Sequence, residues 1–143
     1  MPYPALDIAK YMVTYCISKN TPISNLKLQK ILYFAWIEYY REKNVELFLE
    51  DICAWQFGPV VPGVYYEFCV YGGLPISQEY KVVLAPDDKG ILDGIIDKYN
   101  LQPVGDLVDK THRPGKPWSL TYRNGIGNRM PIPFSNIIKL ECR

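Results

Sequence analysis

The stretch Asn25 to Lys43 constrains this chain more than any other. At about 100° per residue, Leu28, Leu32, Tyr33, Ala35, Trp36, Tyr39 and Tyr40 fall in one wide apolar sector of a helix, opposite Lys27, Lys30, Glu38, Arg41 and Glu42. Ile31 and Phe34 intrude on the polar side, so the helix is apolar over most of its circumference. Such a helix must be covered on several sides, which makes it the centre of the fold. Ser24 or Asn25 suits its N-cap, with Pro22 just upstream. Gln29 sits among aromatics, where an unpartnered amide costs about 1–3 kcal/mol, so its expected role is to tie down a neighbouring backbone. Lys30 falls in the polar sector, so Lys30→Ala is expected to change stability little.

The rest of the chain reads as shorter helices around that rod. Ala5, Ile8, Ala9, Met12, Val13, Tyr15 and Cys16 follow helical spacing, giving a first helix over 4–19 that pairs antiparallel with the central one. Asn44 suits a C-cap. Ile52 to Phe57, bounded by Gly58-Pro59, suggests a brief strand, and Glu79 to Leu84 a second. Pro62 opens a helix whose buried face is Val61, Val64, Tyr65, Phe68 and Cys69, stopped by Gly72-Gly73. Ile91, Leu92, Ile95, Ile96 and Tyr99 recur at helical spacing, with Asp87 or Asp88 as cap and first-turn charge. A short helix follows over 103–111, and helical turns over 117–123 and 134–140. The fold class is therefore mainly α: a single helical domain over residues 1–143, built round a central buried helix at about 25–43, with a small two- or three-stranded sheet.

Composition sets limits on function. With 143 residues, 48% hydrophobic and 22% charged, the chain suits one soluble domain that buries about two-thirds of its unfolded surface. Residues 1–109 carry nine Lys/Arg against fourteen Asp/Glu, whereas the Pro/Gly-rich segment 110–143 carries seven against Glu141 alone, so the body is acidic and the tail basic. The N-terminus does not read as a signal peptide, and no run approaches the roughly 20 apolar residues of a membrane span, so the reading is cytoplasmic with no membrane partner. Cys16, Cys53, Cys69 and Cys142 are far apart without a Cys-x-x-Cys, which favours buried free thiols over a disulfide or a zinc site.

Two further stretches stand out. Ala54 to Tyr65 contains Trp55-Gln56-Phe57-Gly58-Pro59-Val60, where Gly58 permits a special backbone angle or a close approach that Pro59 then rigidifies. It reads as a strand-to-helix corner with Trp55 in the core, or as a surface on which Trp55 and Tyr65 meet a partner. Thr111 to Trp118 holds the only histidine, His112. One histidine without a thiol cluster makes a poor metal site. Catalysis would need an aligned nucleophile, which adjacency to Thr111 does not provide. Such a histidine is expected to hydrogen-bond a loop backbone. Neither cofactor nor metal is expected.

Leu28-Gln29-Lys30-Ile31-Leu32-Tyr33, Ala54-Trp55-x-x-Gly58-Pro59-Val60 and Leu107-Val108-x-x-Thr111-His112-x-x-x-x-Pro117-Trp118 occur in this order. Together they resemble the Panacea (SocA-like) antitoxin domain, a phage-associated family, over roughly residues 5–140. Ile31 stands where that family often has leucine, and the Gly-rich 123–129 stretch departs from it. The resemblance implies a mainly helical, non-enzymatic antitoxin that neutralises a cognate toxin by direct protein binding. It singles out Gln29, Lys30, Tyr33, Trp55, Gly58, Pro59, Val60, Tyr65, Thr111, His112 and Trp118 as motif or partner-binding candidates.

The basic tail, Lys110, Arg113, Lys116, Arg123 and Arg129, reads as charge that pairs with the acidic body or faces water, or that steers the chain onto an acidic partner. A nucleic-acid-associated regulator is the alternative reading of the same residues. Against it, the tail has no clear recognition helix and the whole chain carries a net charge of only +1.

Overall fold

The stretch from Asn25 to Lys43 is helical, and residues 28–37 within it are buried without a break in the computed structural model, which describes residues 2–143. Among the described residues the elements run α1 (Ala5–Ser18), α2 (Asn25–Lys43), β1 (Cys53–Trp55), β2 (Gly58–Val60), α3 (Pro62–Phe68), α4 (Pro86–Asn100), α5 (Val104–Thr111), α6 (Pro117–Tyr122) and α7 (Phe134–Glu141). The chain is mainly α, with one small antiparallel sheet. Every other helix except α6, and strand β2, packs on α2. Ser24 caps α2 by accepting from Lys27 N at 3.3 Å, and Asn44 ends it in the left-handed conformation. Trp36 lies between the rings of Tyr40 and Phe134 while its Nε1 donates to Phe48 O at 3.0 Å. Burying each large apolar side chain here stabilises the fold by about 1.5–3 kcal/mol.

Tyrosine–carboxylate bonds seal the seams between helices. Asp88 at the start of α4 accepts from Tyr3 (2.5 Å) and Tyr39 (2.9 Å) and pairs with Lys43 (3.4 Å). Tyr11 of α1 donates to Asp93, Tyr15 to Asp97, and Tyr99 of α4 back to Glu38 of α2. Tyr33 of α2 reaches Glu141 of α7 at 3.1 Å. These pairs account for several of the twelve tyrosines: each ring packs in a seam while its hydroxyl finds a carboxylate. The N-terminus of α1 is served from a distance, Glu50 accepting from Ala5 N at 2.7 Å.

Several expectations are corrected. Lys30 is wholly buried instead of facing water, because the β2 edge packs over that side of α2. Gly58-Pro59 does not bound a strand; it is one, closing a two-residue turn with Trp55 opposite Gly58 and Ala54 opposite Pro59. Residues 79–84 form no strand. Tyr80 bonds instead to the Thr14 hydroxyl (N to Oγ1 2.9 Å), and Val83 points to water. The free side of β1 is taken by residues 129–132: Ala54 N donates to Met130 O (2.8 Å), and Ile132 N to Ile52 O (2.7 Å). Cys69 is exposed and Cys142 half-buried, while Cys16 and Cys53 are buried; all four are free thiols. Cys69 leaves the buried face because α3 tightens there into a 3-10 turn, Cys69–Tyr71. The cap of α4 is Ala85 with Pro86 next, so Asp87 and Asp88 serve only as first-turn charges.

Candidate functional site

Strand β2 has an outer edge with no strand beside it, and two adjacent side chains of α2 complete it. Gln29 Oε1 accepts from Val61 N at 2.9 Å, and Lys30 Nζ donates to Pro59 O at 2.8 Å. A helix thereby supplies the donor and acceptor that another strand would have offered. The Gln29 amide nitrogen donates to Asn25 Oδ1 (3.0 Å), and Asn25 Nδ2 to Tyr65 O (3.0 Å), which fixes the middle of α3 against the start of α2.

Gly58, at φ +113°, lies over the Lys30 stem, and a Cβ there would sit 2.8 Å from Thr111 Oγ1 and 2.9 Å from Lys30 Cε. The Thr111 hydroxyl is turned back into its own helix, donating to Val108 O at 2.7 Å. The three sequence motifs thus meet at one point, around a lysine. Among the described residues no carboxylate pairs with that lysine. Desolvation lowers its pKa to about 7.

His112 does not hydrogen-bond a loop backbone. Its ring lies flat on Trp118, with centroids 3.7 Å apart and planes within 2°, and Trp118 lies in turn on Tyr122. Its Nε2 is buried without a partner among the described residues. Burial, then the Lys30 charge, push its pKa down. Trp118 Nε1 donates to Trp55 O at 2.7 Å, which joins α6 to the hairpin.

The outer side of the hairpin is different in character. Trp55 is half-buried; Tyr65 meets it edge-on at 5.0 Å, Tyr66 stands at 6.1 Å, and the Arg129 guanidinium lies 4.2 Å from its ring centroid. Arg129 Nη1 also donates to the Tyr66 hydroxyl at 3.2 Å. Phe57 at the turn is 57% exposed and Tyr66 is 56% exposed. Beside them opens a pocket of about 400 Å³, lined in part by Asn25, Gln29, Lys30, Trp55, Tyr65 and Arg129.

Of the motif candidates, Gln29, Lys30, Tyr33, Gly58, Pro59, Val60, Thr111 and Trp118 are buried, and Trp55, Tyr65 and His112 are half-buried. The basic candidates are scattered: Lys110 bonds Gln102, Lys116 pairs with Glu141 at 3.4 Å, and Arg129 sits on Trp55, while Arg113 and Arg123 are exposed elsewhere. Sequence reasoning missed Phe57 and Tyr66 at this face, and it missed the pairing of Arg129 with Trp55. No local pattern signals that pairing, because it depends on residues 129–132 folding back onto β1.

The family model described as "Antitoxin SocA-like, Panacea domain" matches residues 28–119. The chain belongs to this family. It is 32% identical over 141 residues to Antitoxin SocA of Caulobacter vibrioides (strain NA1000 / CB15N), with 90% of this chain and 74% of that protein covered. No solved structure matches. The span matched by the Panacea model holds the whole lysine-centred cluster and the hairpin, but stops short of Arg129. Among the described residues no helix is long and apolar enough to cross a membrane, and no group of three His, Cys, Asp or Glu side chains could hold a metal.

Proposed function

We propose that this Panacea-domain chain is an antitoxin that neutralises a cognate toxin by binding it directly, without catalysing a reaction. The observation that carries the reading is the outer hairpin face, where Arg129, Trp55 and Tyr66 are interlocked beside the exposed Phe57. Aromatic and arginine side chains held by their neighbours are the groups on which protein interfaces concentrate their binding energy, because little conformational freedom is lost on docking. The motif residues beneath hold this face in place: Gln29 and Lys30 anchor β2, and Trp118 anchors β1 through Trp55 O. A cytoplasmic setting suits the four free thiols.

Co-expression with the product of the adjacent open reading frame tests the proposal. The chain should rescue growth and co-purify with that product, and a neighbour that is neither toxic nor bound overturns it. For the nucleic-acid alternative, the dispersal of the basic residues over separate partners speaks against one continuous contact surface. A gel shift at physiological salt decides it.

A further inference from the structure

The pocket beside the hairpin gathers positive charge with no carboxylate in its lining. Its floor includes Lys30, whose ammonium offers three protons and meets one acceptor, Pro59 O. Trp55 lines the pocket, and its Nε1 is buried without a partner among the described residues. Arg129 stands on the rim, its guanidinium over the Trp55 ring and one nitrogen bonded to Tyr66. The side-chain oxygens of Asn25 and Gln29 are already engaged, by the Gln29 amide and by Val61 N. No Asp or Glu lines the space. A buried polar group without a partner is rare and costly, and two cations share this pocket without a carboxylate. A volume of about 400 Å³ with aromatic and aliphatic walls (Trp55, Phe57, Val60, Tyr65) falls within the range of small-molecule sites.

We propose that this pocket binds a small organic oxyanion, a carboxylate or phosphate carried on an aromatic body. The oxyanion pairs with the exposed Arg129 guanidinium and supplies the counter-charge that the buried Lys30 beneath it lacks, and the ring packs on the apolar wall. Lys30 has no exposed surface, so its charge acts on the occupant through protein instead of water, where the same charge is felt more strongly. The pocket shares Trp55, Phe57 and Arg129 with the docking face, but its test uses the isolated chain, so failure of one reading leaves the other standing.

The test titrates the isolated chain with benzoate, phenyl phosphate, benzamide and inorganic phosphate to about 10 mM, enough to detect a millimolar site. The readout is the indole Nε1–H resonance of Trp55, assigned with Trp55→Phe. Benzoate or phenyl phosphate should shift that resonance saturably, and whichever binds tighter names the oxyanion. Benzamide, the same shape without the charge, should bind at least roughly tenfold more weakly. Arg129→Gln, a change at an exposed position, should weaken the oxyanion roughly tenfold, and Lys30→Met should do the same. If Lys30→Met does not fold, Arg129→Gln still decides. No saturable shift with any probe, benzamide binding as well as benzoate, or an unaffected Arg129→Gln overturns the proposal. Inorganic phosphate binding as tightly as phenyl phosphate overturns the aromatic body.

Discussion

Lys30 Nζ donates to the carbonyl of Pro59 at 2.8 Å, across 29 positions of sequence and with no carboxylate in attendance. That bond joins the middle of the most buried helix to the edge of the hairpin, and it places an ammonium where water does not reach. Two of the measurable properties below trace back to it.

The first is a pH dependence. Lys30 has a pKa of about 7 in the folded chain and the ordinary value of about 10.4 in the unfolded one. Below pH 7 both states hold the proton and the penalty for burying the charge is complete. Above it the folded chain releases the proton first, the unfolded state binds more protons, and stability rises with pH. The ideal slope is about 1.4 kcal/mol per pH unit. The gain ends near pH 8.5, where thiols of the unfolded chain ionise while burial keeps Cys16, at about 11, protonated in the fold. Urea melts from pH 7 to 8.5 should show the rise in the wild type and a flat profile in Lys30→Met. A flat wild-type profile would mean the buried amine stays charged.

The second concerns Gly58. Any Cβ there meets Thr111 Oγ1 and Lys30 Cε below 3.0 Å, on a backbone with φ +113°. Gly58→Ala should cost about 2–4 kcal/mol through strain and displacement of the lysine. Gly63→Ala, where nothing lies within 4 Å, serves as the control and should be nearly neutral. Equal melting temperatures for the two would contradict the packing described.

The third concerns Asp88. Burial works to raise its pKa, yet hydrogen bonds from Tyr3 and Tyr39, together with Lys43, prevail and hold the carboxyl below the usual range. Asp88→Asn should lower stability by about 1–3 kcal/mol at neutral pH. The wild-type advantage should shrink as pH falls through the carboxylate range, since the folded chain must then take up the proton it resists. Thermal melts of both proteins at pH 7 and pH 3.5 give the comparison.

The fourth separates surface from scaffold. Trp55→Ala and Tyr66→Ala should each weaken capture of the cognate toxin by about ten- to a hundredfold, the range of an interface hot spot. Tyr66→Ala should leave the melting temperature almost unchanged, because its ring is 56% exposed. Capture by both variants at wild-type strength would move the docking surface elsewhere.

The helices were legible because apolar spacing, Ser24, Asn44 and the prolines act locally, within a turn or two of the residues they govern. The hairpin was only half legible: its turn, Gln56-Phe57, contains neither glycine nor asparagine, and Gly58-Pro59 are residues that strands usually avoid. Glu79 to Leu84 has strand-like residues, but strand formation needs an open edge, and residues 129–132 and α2 occupy both sides of the hairpin. Lys30 was misplaced for a related reason. Helical periodicity assigns a charge to water by default, and the carbonyl that receives this one comes from a different element. Of the site, the residues of the central cluster could be named from the motifs, whereas their convergence on Lys30 and the seating of Arg129 on Trp55 could not.

The return of residues 129–132 to β1 has a bearing on how the chain is born. A ribosome adds about 5–20 residues each second, so the roughly 70 residues between β2 and Arg129 take several seconds to appear. Throughout that interval the far side of β1 is unzipped and Trp55 lacks its guanidinium cover. A message cut short within those codons would release a polypeptide with a bare strand edge, the kind of species that cellular quality control removes.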